Sequence, residues 1–212
     1  MNFSSRPSSV VLAACAATFA MTLAACGSDT ETTATTTSAP SIDELVAPSI
    51  TESAPPAAVS ACPSAPPDAA GAAEWNLTGT TGSVAVTGST DTTAPKIDVT
   101  APFSVTETQV QTLQAGEGPV VADSATVLVC YMGVNGRDGT VFDNSYERGA
   151  PVDFPLTGVV PGFQKAIAGQ TVGSTVGVAM TSQDGYPDGQ PAAGIQPGDS
   201  LIFAIKILDA AN

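Results

Sequence analysis

The sequence predicts an α+β domain, one short helix packed on an antiparallel sheet, carried behind a patternless N-terminal tract. Three observations predict it. From about residue 72 onward, short runs alternate apolar and polar residues with a period of two. A single run, residues 161–168, has helical spacing, and Gly and Pro punctuate the remainder. Before residue 72, Thr, Ser, Ala and Pro prevail without apolar periodicity.

Residues 1–25 read as a bacterial lipoprotein signal peptide. Arg6 supplies a minimal basic start, Val10 to Ala25 is apolar apart from Thr18 and Thr22, and Leu23-Ala24-Ala25-Cys26 resembles a lipobox. Cys26 is then the acylated first residue of the mature chain, held at the membrane by two or more acyl chains. The earlier Leu12-Ala13-Ala14-Cys15 has too short an apolar stretch before it. A plain secretory signal cut near Ala25 is the alternative. Residues 26–71 follow as the lipidated cysteine and a disordered Thr/Pro/Ala-rich stalk, with no Lys or Arg between Gly27 and Gly71. Such a segment cannot bury enough apolar surface to offset its ordering entropy.

Residues 72–212 form the folded domain, its core at about 105–210. Ser83–Val86, Lys96–Val99 and Gln109–Leu113 alternate as half-buried strands do. Thr126–Tyr131 is apolar on both faces, which predicts a strand covered on each side. Asn135-Gly136 and Asp138-Gly139 mark the turn beyond it. Ser174–Met180 and Leu201–Leu208 supply further strands, with Leu201, Phe203, Ile205 and Ile207 on one face. The helix from about Pro161 to Ala168 has Pro in its first turn, Gly169 as its stop, and Phe163, Ala166 and Ile167 on its apolar side.

Composition narrows the chemistry. There is no histidine, which removes a Ser-His-Asp triad, an imidazole base and any His-ligated metal. A formal charge of −14 argues against a nucleic-acid partner, since phosphates need clustered Lys and Arg. No cofactor or metal is expected. Six of the nine aromatics beyond the leader, Tyr131, Phe142, Phe154, Phe163, Tyr186 and Phe203, come from different predicted strands, the helix and a loop. On composition alone they read first as the shared core of a small β domain.

Order and spacing add a resemblance. Tyr131-Met132-Gly133, Gly139-Thr140-Val141-Phe142-Asp143-Asn144-Ser145, Phe154-Pro155-Leu156, Val160-Pro161-Gly162-Phe163 and Leu201-Ile202-Phe203 are similar to the FK506-binding-protein (FKBP) family of peptidyl-prolyl isomerases. The similarity runs over roughly residues 80–210. It implies an FKBP-like antiparallel sheet wrapped around one short α-helix, and a proline pocket walled by Tyr131, Phe142 and Phe203. By the same resemblance Phe163 is the floor, where Trp stands in familiar members, and Phe154 lies at the rim. Val159 and Val160 supply an apolar edge and a backbone donor, and Asp143 orients Tyr131 or a substrate carbonyl. Tyr186 and Ile195 cap the site from the loop before the last strand, where Pro187, Pro191, Gly194 and Gln196 depart from the family pattern.

The implied activity needs no nucleophile. The barrier to amide rotation is about 18–20 kcal/mol. A dry pocket that grips the prolyl ring favours the twisted amide over the planar one. The implied function is a lipid-anchored, extracytoplasmic, monomeric isomerase acting on proline-containing unfolded or exported polypeptides and open to macrolide inhibitors. The alternative is a weakly catalytic or non-catalytic FKBP-like chaperone or binding module at the cell surface.

Cys62 and Cys130 remain once Cys15 leaves with the leader and Cys26 takes lipid. If Tyr131 faces the pocket, alternation turns Cys130 to the other face, where a Cys62–Cys130 disulfide would tie the end of the stalk to the sheet. One buried and one exposed thiol is the alternative.

Overall fold

The computed structural model describes residues 61–67 and 71–211, in which nine strands and two helices build two antiparallel sheets. Strands β1 (Trp75–Thr78), β2 (Thr81–Thr87) and β3 (Lys96–Ser104) form a three-stranded sheet in that order. The larger sheet contains β4 (Gln109–Gln114), β5 (Thr126–Asn135), β6 (Val141–Asn144), β7 (Val152–Pro155), β8 (Thr175–Met180) and β9 (Leu201–Ala211). Its order is β4-β8-β9-β5-β6, with β7 also paired to β5. Helix α1 (Ser145–Arg148) joins β6 to β7, and α2 (Pro161–Ile167) lies between β7 and β8. The leader, Cys26 and the stalk as far as residue 60 lie outside the described residues.

The larger sheet is covered on both faces, which is why its inner strands are mostly apolar. On one face Val127, Val129, Val176, Val178, Ile205 and Ile207 pack with Phe163, Ala166 and Ile167 of α2. Each such side chain contributes about 1.5–3 kcal/mol on full burial. Pro161 opens α2 where no amide is needed, and Gly169 takes φ 78° just past its end, its N–H donating to Val121 O at 3.0 Å. On the other face Ala179, Ile202 and Ala204 meet Val84, Val86 and Phe103 of the smaller sheet. The Trp75 ring lies over Gly177, where a Cβ would stand 2.8 Å from its Cε3.

The strands expected at 83–86, 96–99, 109–113, 126–131, 174–180 and 201–208 are all present, most of them longer. The one short helix expected on the sheet is present as α2, and two features add to the expected layout. The first concerns the helix count, because α1 is a second, one-turn helix. The Asn144 side chain accepts from Tyr146 N at 3.1 Å and Gly149 ends the turn at φ 66°. Four residues are too few to carry a readable period. The second concerns the end of the stalk: the expected Cys62–Cys130 bridge is present, so residues 61–67 belong with the domain. Cys62 is bonded to Cys130, with 5.7 Å between Cα atoms, and Ala65 bridges Thr93. Crosslinking residues 68 apart restricts the unfolded chain by about 4 kcal/mol in the loop-entropy picture.

The smaller sheet therefore acts as a structural lid on the larger one. Trp75→Ala is expected to destabilise the protein by about 3 kcal/mol. Gly177→Val is expected to destabilise it too, and the double variant to lose less than the sum, because both changes strike one contact. Urea unfolding of the three variants checks this; independent, additive losses would refute the contact.

Candidate functional site

The site begins at residue 133. Gly133 of β5 pairs with Phe203 of β9 and Asp143 of β6. A Cβ there would lie 2.6 Å from Phe203 Cε1 and 2.8 Å from Phe142 Cζ. Only glycine lets the two rings meet over the strand, edge to face at 5.5 Å between centroids. Phe163, brought in by α2, stands edge-on to Phe203 at 4.7 Å, to Tyr131 at 5.6 Å and to Phe154 at 5.9 Å. Gly162 makes that approach possible, since a Cβ there would sit 2.6 Å from Met180 Sδ.

These rings leave a cavity of about 360 Å³ that opens to solvent. It is lined by Tyr131, Phe142, Asp143, Phe154, Gly158, Val159, Val160, Phe163, Tyr186 and Phe203. Phe163 is 6 % exposed, at the bottom, and Phe203 is 4 % exposed. The Val160 amide, just before α2, has no hydrogen-bond acceptor among the described residues.

One corner is polar. The Tyr131 hydroxyl donates to Asp143 Oδ2, and Arg148 Nη1 donates to Asp143 Oδ1 at 2.6 Å. Burial, reinforced by the Asp143 carboxylate, pushes the Tyr131 hydroxyl up to about 12. Burial also raises the Asp143 carboxyl, but the Tyr131 hydroxyl and the Arg148 guanidinium together outweigh it and hold the group below the ordinary carboxylate range.

The loop that carries Tyr186 is fastened at both ends. Asp184 O accepts from Gly162 N at 2.8 Å, and its carboxylate takes Lys165 Nζ at 2.6 Å and the Thr108 hydroxyl. At the far end Asn135 Nδ2 donates to Asp199 Oδ2 at 2.7 Å, and Arg137 Nη2 donates to Gly194 O at 3.1 Å.

Of the residues singled out in the sequence, Tyr131, Phe142, Asp143, Phe154, Val159, Val160, Phe163, Tyr186 and Phe203 converge on the cavity. Ile195 does not. It is 2 % exposed within the main core, and its chain folds back on Gln190 through N–H···O bonds of 3.1 and 2.9 Å. Its side chain belongs to the main core and is not among those that line the cavity. Gly194 also serves the backbone: at φ 70° it ends the turn Pro191–Ala193, with nothing within 4 Å of an added Cβ. Gly133, Gly158 and Arg148 were not singled out. Arg148 sits five residues after Asp143, a spacing that points to a contact only once α1 is known. Among the described residues no group of three or more metal-type ligands occurs.

A model of the FKBP-type peptidyl-prolyl cis-trans isomerases matches residues 118–208. The chain is 36% identical over 101 residues to the FKBP-type 22 kDa peptidyl-prolyl cis-trans isomerase of Escherichia coli, covering 48% of each protein. It is 30% identical over 117 residues to an FK506-binding protein of Streptomyces anulatus, covering 54% of this chain and 94% of that one. A crystal structure of FkpA from Escherichia coli superposes with TM-score 0.46 at 36% identity, over 49% of this chain and 47% of that one. The chain spans about half or less of the length of the first curated relatives it matches, 48% and 36%. Strands β1–β3 and the strap at 61–67 precede the matched segment.

The polar corner fixes a pH dependence. Asp143 has a lowered folded pKa, so its ionised form contributes stability above the ordinary carboxylate value that is lost as pH falls through the folded one. Tyr131 has a raised folded pKa, so its contribution is complete below the ordinary tyrosine value and is lost as pH rises through about 12. Stability from this corner is expected to be flat over about pH 5–9 and to fade on both sides. Asp143→Asn should shrink the acid loss without abolishing it, because Asp184 and Asp138 are also lowered. Urea unfolding across pH checks this, and an acid limb unchanged by Asp143→Asn would refute it.

Proposed function

This chain belongs to the FKBP-type peptidyl-prolyl cis-trans isomerase family, and from that premise we propose that it accelerates X–Pro isomerisation in polypeptides outside the cytoplasm, anchored through a lipidated Cys26. The observation that carries the catalytic part is the open, ring-lined cavity closed by Phe163 and flanked by one polar corner. A prolyl ring enters against Phe163, with Phe142, Tyr131 and Phe203 as walls. The amide that leads into it is thereby stripped of water. A planar amide is strongly dipolar and loses solvation in such a place, whereas the twisted state has a ketone-like carbonyl and a pyramidal nitrogen and loses less. Only that difference accelerates the reaction, at about tenfold per 1.36 kcal/mol.

The polar groups orient the substrate. The Val160 amide, without an acceptor among the described residues, suits a carbonyl flanking the proline, and the Tyr131 hydroxyl, its proton committed to Asp143, is left as an acceptor. No proton is transferred in the reaction, so the absence of histidine from the sequence is no obstacle. The site residues are therefore Tyr131, Phe142, Asp143, Phe163, Tyr186 and Phe203, with Phe154, Val159 and Val160 holding flanking atoms.

Location rests on the leader sequence and on the disulfide. The apolar run ending Leu23-Ala24-Ala25-Cys26 supports lipid attachment, and a disulfide suits an oxidising compartment. The clients are then exported chains still folding, whose X–Pro bonds otherwise isomerise over tens to hundreds of seconds. A macrolide of the FK506 class would compete for the same cavity.

In a protease-coupled assay on a short prolyl peptide, Phe142→Ala and Tyr131→Ala are each expected to lower kcat/KM more than tenfold while the far-UV spectrum is retained. Unchanged rates in folded variants would remove the cavity from the reaction. Capture of unfolded protein without isomerisation would mean a holdase instead. For the anchor, Cys26→Ser should abolish incorporation of labelled fatty acid and move the protein from the membrane to the soluble fraction; continued labelling would refute that attachment point.

A further inference from the structure

The strap at 61–67 lies outside the matched segment, yet it is bonded to Cys130, the chain neighbour of Tyr131. Cys130 and Tyr131 are neighbours on β5, so their side chains leave opposite faces of the sheet. Ser145, the first residue of α1, joins the two sides. Its fully buried hydroxyl accepts from Tyr131 N at 2.8 Å and lies 3.5 Å from Cys62 Sγ. Cys62 N donates to Gly149 O at 3.3 Å, at the other end of the same helix. Between these points Tyr146 is 1 % exposed, packed with Cys62 and Cys130, its hydroxyl on Ser89 Oγ at 2.8 Å. The one turn held this way carries Arg148, which grips Asp143, which in turn accepts from Tyr131.

We propose that the Cys62–Cys130 bridge, acting through Ser145 and α1, is a positioning element of the cavity that sets where Tyr131, Asp143 and Arg148 stand. The physical need is plain. Helix α1 has four residues and is too short to be stable by itself. Arg148 is exposed at its end and free to swing unless the turn beneath it is fixed. The chain supplies that support from Cys62, which is covalently bonded to Cys130, 68 residues later, and meets Ser145 and Gly149 at the two ends of the turn. Substrate touches neither cysteine. Their effect on it passes entirely through the tyrosine and its carboxylate.

This inference rests on the isomerase reading, and its test separates the two. The variants are Cys62→Ala/Cys130→Ala, which removes the bridge without leaving a lone thiol, and Ser145→Ala, which keeps the bridge and cuts the relay. Each is placed in the natural background and in Tyr131→Phe, and thermal melting defines a temperature at which all are folded. In the natural background each should lower kcat/KM about three- to tenfold, mostly through KM. In Tyr131→Phe the further loss should be under twofold, because the group they position is already gone. A loss of equal size in both backgrounds would mean general loosening and overturn the proposal.

A second readout does not depend on activity. Fluorine NMR of fluorotyrosine-labelled protein, assigned with Tyr131→Phe, should show the Tyr131 signal shifting or broadening in both variants. A Tyr131 signal that stays put when the bridge is removed overturns the proposal whatever the rates. If the unaltered protein isomerises nothing, the functional reading fails, and the NMR still decides the positioning claim.

Discussion

The cavity depends on aromatic rings meeting at their edges. Phe163 stands edge-on to Phe203, Tyr131 and Phe154, and Phe142 edge-on to Phe203. Each such contact contributes about 0.5–1.5 kcal/mol beyond burial. Perpendicular rings hold one another up without filling the space they enclose, so an apolar recess survives where flexible aliphatic chains would collapse into it. The arrangement requires an absence at its centre. A methyl group on Gly133 would collide with both Phe203 and Phe142. The backbone on which the rings stand must then be rigid, and the burial of the larger sheet on both faces makes it so.

Much of this was legible in the chain. Period-two runs located the strands, and the double-faced apolar run at 126–131 marked β5 as covered on each side. The spacing of Phe163, Ala166 and Ile167 marked α2. Nine of the ten residues expected at the site line the cavity. What could not be read was whatever depends on contacts between distant segments. Ile195 was assigned by its place in a loop, and only its burial in the main core shows that it does not line the cavity. Gly133 has no side chain to attract notice, since its importance lies in what it leaves room for. The one-turn α1 is set by Asn144 and Gly149 at its ends, with no period to betray it.

The segment before the matched region has a double structural part. Strands β1–β3 cover Ile202, Ala204 and Ala179, apolar residues on the outer face of the larger sheet. Their hydrophobicity is unintelligible if the matched segment is taken alone, because an uncovered antiparallel sheet presents polar residues to water. The doubly apolar character of β9 is thus a sequence signal of a covering layer. The strap then fastens the same segment to Cys130, behind Tyr131.

That arrangement suits a site whose chemistry is shape and dryness. A catalytic base can tolerate some motion, because proton transfer needs only a momentary approach. A cavity that works by excluding water loses its effect whenever its walls part. The rate it can give is bounded by how rigidly Tyr131, Phe142 and Phe163 are kept in place. The turn carrying Arg148 has only four residues, and the strap, the buried Tyr146 and Ser145 all meet at it. On the proposed positioning role, these contacts steady the wall of the cavity at Arg148. The bonds that do it lie on the far side of the sheet, where they can hold the wall without occupying the cavity.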